Sequence, residues 1–175
     1  MTPGGLSLAQ QFGLVVLRTL VGWHFLYEGF TKAIAPAWSR DGVPLGRWTS
    51  AGYLKAASGP FEDLLHRLAD SSWIGFVDVL IVAGLLLVGL SLLLGLYTQA
   101  GCAGGLLLLA LFYFSAVPTS GIHQAGAEGA YLIVNKNLIE AAAVLVVLSF
   151  RTGRIAGLDL LRARSAAART EAVAS

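Results

Sequence analysis

Cysteine and methionine each occur once, histidine only three times, and charged side chains make up 13% of the 175 residues. The lone cysteine, Cys102, excludes an intrachain disulfide. It also argues against self-contained thiol–disulfide exchange with a quinone, which needs a cysteine pair; it reads as a small packing residue. A net charge of +2 is too small to point to nucleic acid. Haem held by two histidines needs a second histidine inside the bundle, and His66 and His123 fall in loops. The apolar N-terminal block is not read as a signal peptide, despite small residues at Ala33, Ala35 and Ala37. Its apolar stretch would contain Arg18, His24 and Glu28, and no basic segment precedes it.

What the chain does have is apolar length. Hydrophobic residues make up 56% and gather in four blocks, at about 8–35, 73–97, 100–117 and 130–150. A bilayer core of about 30 Å takes roughly 20 apolar residues per helical span. None of the blocks alternates like a barrel strand, and lipid leaves no partner for an unpaired backbone, so helices are expected. The expected fold is a single all-α integral membrane domain over 1–175: a four-transmembrane-helix bundle in a lipid bilayer, followed by a polar, solvent-facing tail at 151–175.

The one long loop, 36–72, carries Trp38, Trp48 and Tyr53. Within it Pro60 can open a short amphipathic helix, with Phe61, Leu64, Leu65 and Leu68 on one face and Glu62, Asp63, His66 and Arg67 elsewhere. Such a helix is expected at the membrane surface. The tight YTQAG segment makes the second and third spans a hairpin, and the small pair Gly101 and Gly105 allows their close approach. Four spans put both termini on one side. That side carries Arg151, Arg154, Arg162, Arg164 and Arg169 against Arg40, Arg47, Lys55 and Arg67 in the loop, which favours cytoplasmic termini in the inner membrane.

Ionisable side chains inside spans cost roughly 2.5 to 3.5 kcal/mol each on insertion scales, so each needs a reason. Glu28, Asp78 and Glu140 balance Arg18, Lys32 and Lys136. His24, Glu28 and Lys32 follow an i, i+4, i+8 path, and Lys136 and Glu140 repeat the i, i+4 relation. Alternating helices bring these groups to the membrane half under the long loop, with Arg18 deeper. One reading is a set of ion pairs that lock the helices in register, the lysines snorkelling to the interface. The other is a buried polar site. There Glu28, Asp78, Glu140 and His24 manage protons, while Arg18, Lys32, Asn135, Lys136 and Asn137 bind an anionic or carbonyl oxygen. His24 can donate to a quinone carbonyl or be satisfied by Glu28 one turn away. Trp23, Phe25, Tyr27, Phe112, Tyr113 and Phe114 can line a quinone pocket or simply pack at the membrane belt. A metal site from His24, Glu28 and Asp78 lacks a recognisable ligand spacing, and none is expected.

The runs LRTLVGWHFLYEGFTK, GYLKAASGPF, GLLLVGLSLLLGLYT and EGAYLIVNKNLIE together resemble the DoxX/DoxD family, and most closely its DoxD branch. The resemblance implies a four-helix fold in a respiratory membrane and the membrane subunit of a thiosulfate:quinone oxidoreductase, which oxidises thiosulfate to tetrathionate and reduces a membrane quinone. The matching positions are Arg18, Gly22, Glu28, Gly29 and Lys32, then Asn135, Lys136, Asn137 and Glu140, with Asp78 where relatives place an acid. Thiosulfate, a dianion, would approach from the loop side toward Lys32, Lys136, Arg40 or Arg47. The alternative is a noncatalytic anchor or assembly subunit that recruits a soluble or membrane oxidoreductase partner.

Overall fold

The computed structural model describes residues 5–34, 48–57, 60–115 and 133–174, with the backbone alone at 39–40, 43–44 and 173–174. Trp38, Arg47 and His123 lie outside the described residues. The described chain is helical apart from a two-residue antiparallel pairing of Ser39–Arg40 (β1) with Val43–Pro44 (β2). In order, the helices are α1 (Leu8–Ile34), α2 (Ala51–Lys55), α3 (Glu62–Ala69), α4 (Ile74–Leu94), α5 (Thr98–Ser115), α6 (Lys136–Ser149), a 3-10 turn at Thr152–Arg154, and α7 (Leu158–Ala174). Two of them, α4 and α5, are long and apolar enough to cross a membrane.

Helix ends follow local chemistry, and this shifts the expected boundaries. The second block stops at Leu94 rather than 97 because Gly95 turns left-handed, φ 63° and ψ 36°. Leu96 N–H then donates to Ser91 O at 3.0 Å and Gly95 N–H to Leu92 O at 3.3 Å, a Schellman closure that only glycine adopts without strain. The fourth block begins its helix at Lys136 rather than 130, since Asn135 is extended and its Oδ1 accepts the Leu138 N–H at 3.1 Å. Residues 116–132, which include the start of that block, are outside the described residues.

Helices α1, α4, α5 and α6 pack in a ring, each touching the next and α6 returning to α1. The α1–α4 seam is the tightest, and glycine is the reason. A Cβ on Gly89 would stand 2.5 Å from Leu26 N, and one on Gly22 would stand 2.9 Å from Leu93 N, so the two backbones are in contact. Across α4–α5 a Cβ on Gly101 would collide with the Ser91 side chain, and Gly105 faces Val88 and Phe25. The enclosed core is Phe25, Leu85, Val88, Leu92, Leu109, Val144 and Val147. The outward faces remain apolar, and the apolar windows of α4 and α5 are only 28% and 33% buried.

Between α1 and α4, the short helix foreseen after Pro60 forms as α3, which places His66 on a helix rather than in irregular loop. Leu65 and Ala69 pack on Leu54 of α2 and on Ala57 just after it, and Lys55 pairs with Asp70 at 2.6 Å. Phe61 meets Phe114 edge-on, with ring centroids 6.2 Å apart, so α3 docks on the end of α5 while Leu64 stays exposed. The tail is not loose trailing chain. Its first residues form the 3-10 turn and the start of α7, which are tied to the bundle, although α7 is exposed from Leu161 onward.

Candidate polar site in the α1–α6 seam

Helical spacing places His24, Glu28 and Lys32 on one stripe of α1, and the ring turns that stripe toward the first turns of α6. His24 Nδ1 lies 2.6 Å from Glu140 Oε1, across 116 residues of sequence. Its other ring nitrogen, Nε2, stands 3.9 Å from Glu28 Oε1, beyond hydrogen-bond length. Glu28 in turn pairs with Lys32, whose Nζ sits 5.7 Å above the Trp48 ring. Lys136 is close enough to act electrostatically on both Glu28 and His24. The result is a chain of carboxylate, imidazole, carboxylate and ammonium running along the looser side of the ring.

Exposure differs along this chain in a useful way. The Glu140 side chain is 12% exposed, while those of His24 and Glu28 are 41% and 37% exposed. The inner carboxylate is therefore enclosed, while the imidazole is partly open, and Trp23 and Tyr27 of the same helix are exposed.

Other candidate residues take up structural partners. Asp78 Oδ1 accepts both the backbone N–H of Ser50 at 2.8 Å and its hydroxyl at 2.5 Å, which pins the start of α2 to α4. Asn135 is the cap of α6; Lys136 is exposed and Asn137 half-buried in the first turn of that helix. Arg18 is 3% exposed and lies about 9 Å up α1 from His24 at helical rise. Its Nη1 donates to Thr152 O at 2.9 Å and Ala156 O at 2.6 Å, so it ties α1 to the turn after α6. No group of three or more His, Cys, Asp or Glu side chains arranged to hold a metal occurs among the described residues.

Sequence reasoning missed Asp159. Its Oδ1 accepts the Tyr97 N–H at 2.8 Å, and its Oδ2 accepts the Thr98 N–H at 2.9 Å and the Thr98 hydroxyl at 2.8 Å. It thus caps α5 from a distance of sixty-odd residues, and its own N–H donates to Gly95 O at 2.8 Å. The available signal was an aspartate in the first turn of a helix preceded by glycine, the pattern Gly157-Leu-Asp. Burial pushes the Asp159 carboxyl up, but the three hydrogen bonds and the Arg162 charge outweigh it and hold the group below the usual aspartate range. A lowered folded value means that this contribution is present above the unfolded aspartate pKa of about 3.9 and is lost as pH falls through the folded value. Thermal melts from neutral pH downward should therefore show wild type losing stability below about pH 4 more steeply than Asp159→Asn. Parallel acid limbs for the two proteins would remove Asp159 from the account.

No family model, curated protein or solved structure matches this chain.

Proposed function

We propose that the chain is a four-span membrane protein of the DoxX/DoxD type, serving as the quinone-facing subunit of an oxidoreductase in the inner membrane, with cytoplasmic termini. The membrane reading is supported by the outward faces of the ring. Exposed Leu20, Phe30, Leu80, Leu87, Leu107 and Leu145 come from all four helices, and a soluble domain would not leave so continuous an apolar surface in water. The low burial of the α4 and α5 windows separates them from core helices of a soluble protein. α1 has 27 residues, about 40 Å at helical rise, whereas α6 has 14, about 21 Å. A short span is accommodated by local thinning of the bilayer and by snorkelling of Lys136.

The observation that carries the functional reading is the bridge from Glu140 to the half-exposed His24 side chain. Reduction of a quinone to a quinol takes two electrons and two protons, and the protons must be delivered where water is scarce. Glu140 and His24 form a two-member proton path, and His24 Nε2 can donate to the quinone carbonyl that accepts the proton. The hydrogen bond with Glu140 orients the imidazole, and Glu28, held by Lys32, stands 3.9 Å from its other ring nitrogen. Electrons come from the donor. On the resemblance, two thiosulfate dianions join through a new S–S bond to give tetrathionate, releasing the two electrons that the quinone takes up. Lys32 and Lys136 supply the positive charge that draws the dianion to this end of the bundle.

Glu140→Gln keeps the size and a hydrogen bond to His24 while removing the proton store. It should lower thiosulfate-dependent reduction of a soluble quinone by about 100-fold, the usual scale of general acid–base catalysis, with melting unchanged. Equal turnover in wild type and variant would sink the proton path. A second reading is supported by the structural engagement of Arg18, Asp78 and Asn135 and by the exposed length of α7: the chain anchors a partner oxidoreductase and its charges hold the bundle. Turnover that appears only when a partner is added, and is indifferent to Glu140, would establish that reading.

A further inference from the structure

At the far end of α6 from Glu140 lies a recess of about 50 Å³ lined by Thr98, Gln99, Arg151, Gly153, Arg154 and Asp159. It shares Thr98, Gln99, Arg154 and Asp159 with a broader groove of about 460 Å³ that adds Tyr97 and Arg162. Three arginines thus line two adjoining hollows that share Arg154 and a single carboxylate, Asp159. That carboxylate is already committed, since both Asp159 oxygens accept hydrogen bonds from Tyr97 and Thr98. None of the three arginines forms an ion pair among the described residues. Arg162 instead lies over the Tyr97 ring, 4.1 Å from its centroid.

Backbone strain is concentrated in the same place. Tyr97 (φ 51°) and Arg151 (φ 47°) are the non-glycine residues with positive φ among the described residues; Arg151 lines the recess and Tyr97 the groove beside it. A left-handed conformation is unfavourable for side chains with a Cβ, and glycine would serve better at either helix end. Strain of this kind collects where a side chain is held for binding.

We infer that the Arg151–Arg154–Arg162 groove binds a phosphate group, carried by an anionic phospholipid. Guanidiniums present paired N–H donors that match phosphate oxygens, and they are less strongly hydrated than ammonium groups. The groove lies just past the ends of α4 and α6, which in a four-span bundle is the headgroup level, and exposed Leu94 and Phe150 at those helix ends offer an apolar wall for acyl chains. Access to lipid rests on the four-span reading; the phosphate chemistry rests only on the groove.

The test uses the full chain purified in a neutral detergent, with melting temperature followed during titration by phosphatidylglycerol, phosphatidylcholine or sodium phosphate. Phosphatidylglycerol should raise the melting temperature saturably, and phosphatidylcholine should not. Arg154→Gln and Arg162→Gln should each weaken the half-saturation point about tenfold, while Arg169→Gln, in the exposed part of α7, should leave it in place. Arg151→Gly should raise the melting temperature of the unliganded protein by relieving strain and still weaken the titration, a split that a purely structural arginine would not produce. Identical titrations of wild type and all variants, or equal effects of the two lipids, would overturn the site. Saturation by sodium phosphate alone would overturn its assignment to lipid. Flotation of the same protein with phosphatidylcholine vesicles reports membrane insertion separately, so failure of the four-span reading is distinguishable from failure of the groove.

Discussion

Valine at position 89 should prevent the ring from closing. A Cβ there would already stand 2.5 Å from Leu26 N and 2.7 Å from Leu26 Cα. The obstacle is backbone, which has no rotamer to escape into. Replacing a mid-helix glycine by alanine ordinarily gains about 1 kcal/mol of helix propensity. Overpacking typically costs about 1–3 kcal/mol even when flexible side chains can move. Here α1 and α4 must separate along the seam that Gly22 and Gly29 also line, and the contacts of Phe25, Leu85 and Leu92 weaken together. Gly89→Val should therefore lose at least about 3 kcal/mol, a fall of roughly 10 °C in melting temperature for a chain of this size, or yield no folded protein. Gly13 has nothing within 4 Å of a built Cβ, so Gly13→Val is the matched control and should fold normally. Equal stability of the two variants would show that the seam is not as close as described.

The second large effect is expected at Arg18. Burying a guanidinium is unfavourable in itself, and replacing a buried ion pair by apolar side chains is often neutral. Arg18 differs in what it holds. Its Nη1 donates to two backbone carbonyls in the turn after α6: Thr152 O, which also accepts the Ile155 and Ala156 N–H groups, and Ala156 O. Arg18→Met removes the guanidinium donor from Ala156 O, at about 1–3 kcal/mol, while Thr152 O keeps the Ile155 N–H at 3.0 Å and the Ala156 N–H at 3.3 Å; the loss is offset in part by the desolvation that the guanidinium no longer suffers. A net loss of about 1–2 kcal/mol is expected in thermal melts, with Arg18→Lys intermediate because an ammonium reaches fewer acceptors from one position. A melting temperature for Arg18→Met equal to wild type would show that the clamp contributes nothing. Arg18→Lys that melts normally but loses quinone turnover would instead return Arg18 to the group that binds substrate.

These two residues illustrate different kinds of legibility. Gly22, Gly29, Gly101 and Gly105 are visible in the sequence as small residues at helical spacing, and the close approach they permit follows from the absence of a Cβ. Gly89 faces Leu26 only because α4 sits beside α1, and nothing in either segment names its neighbour. Asp78 reads as an acid inside an apolar block, yet the hydrogen bonds it accepts come from Ser50 in the loop. Arg18 reads as one of several intramembrane charges, and its carbonyl partners lie 134 and 138 residues away.

By itself the sequence determined the amphipathic α3 after Pro60, the alignment of His24, Glu28 and Lys32 along α1, and the helical blocks, though not their ends at Gly95 and Asn135. All of these depend on interactions within a few residues, where helical geometry fixes what can touch. Only the tertiary structure decided the order of helices around the ring, the pairing of His24 with Glu140, the docking of Asp159 at the start of α5, and the grouping of Arg151, Arg154 and Arg162 about one groove. Apolar burial is non-directional and fixes which face of a helix turns inward without choosing its neighbour. That choice is made by close backbone approach and by hydrogen bonds that exist only after the distant segments have met.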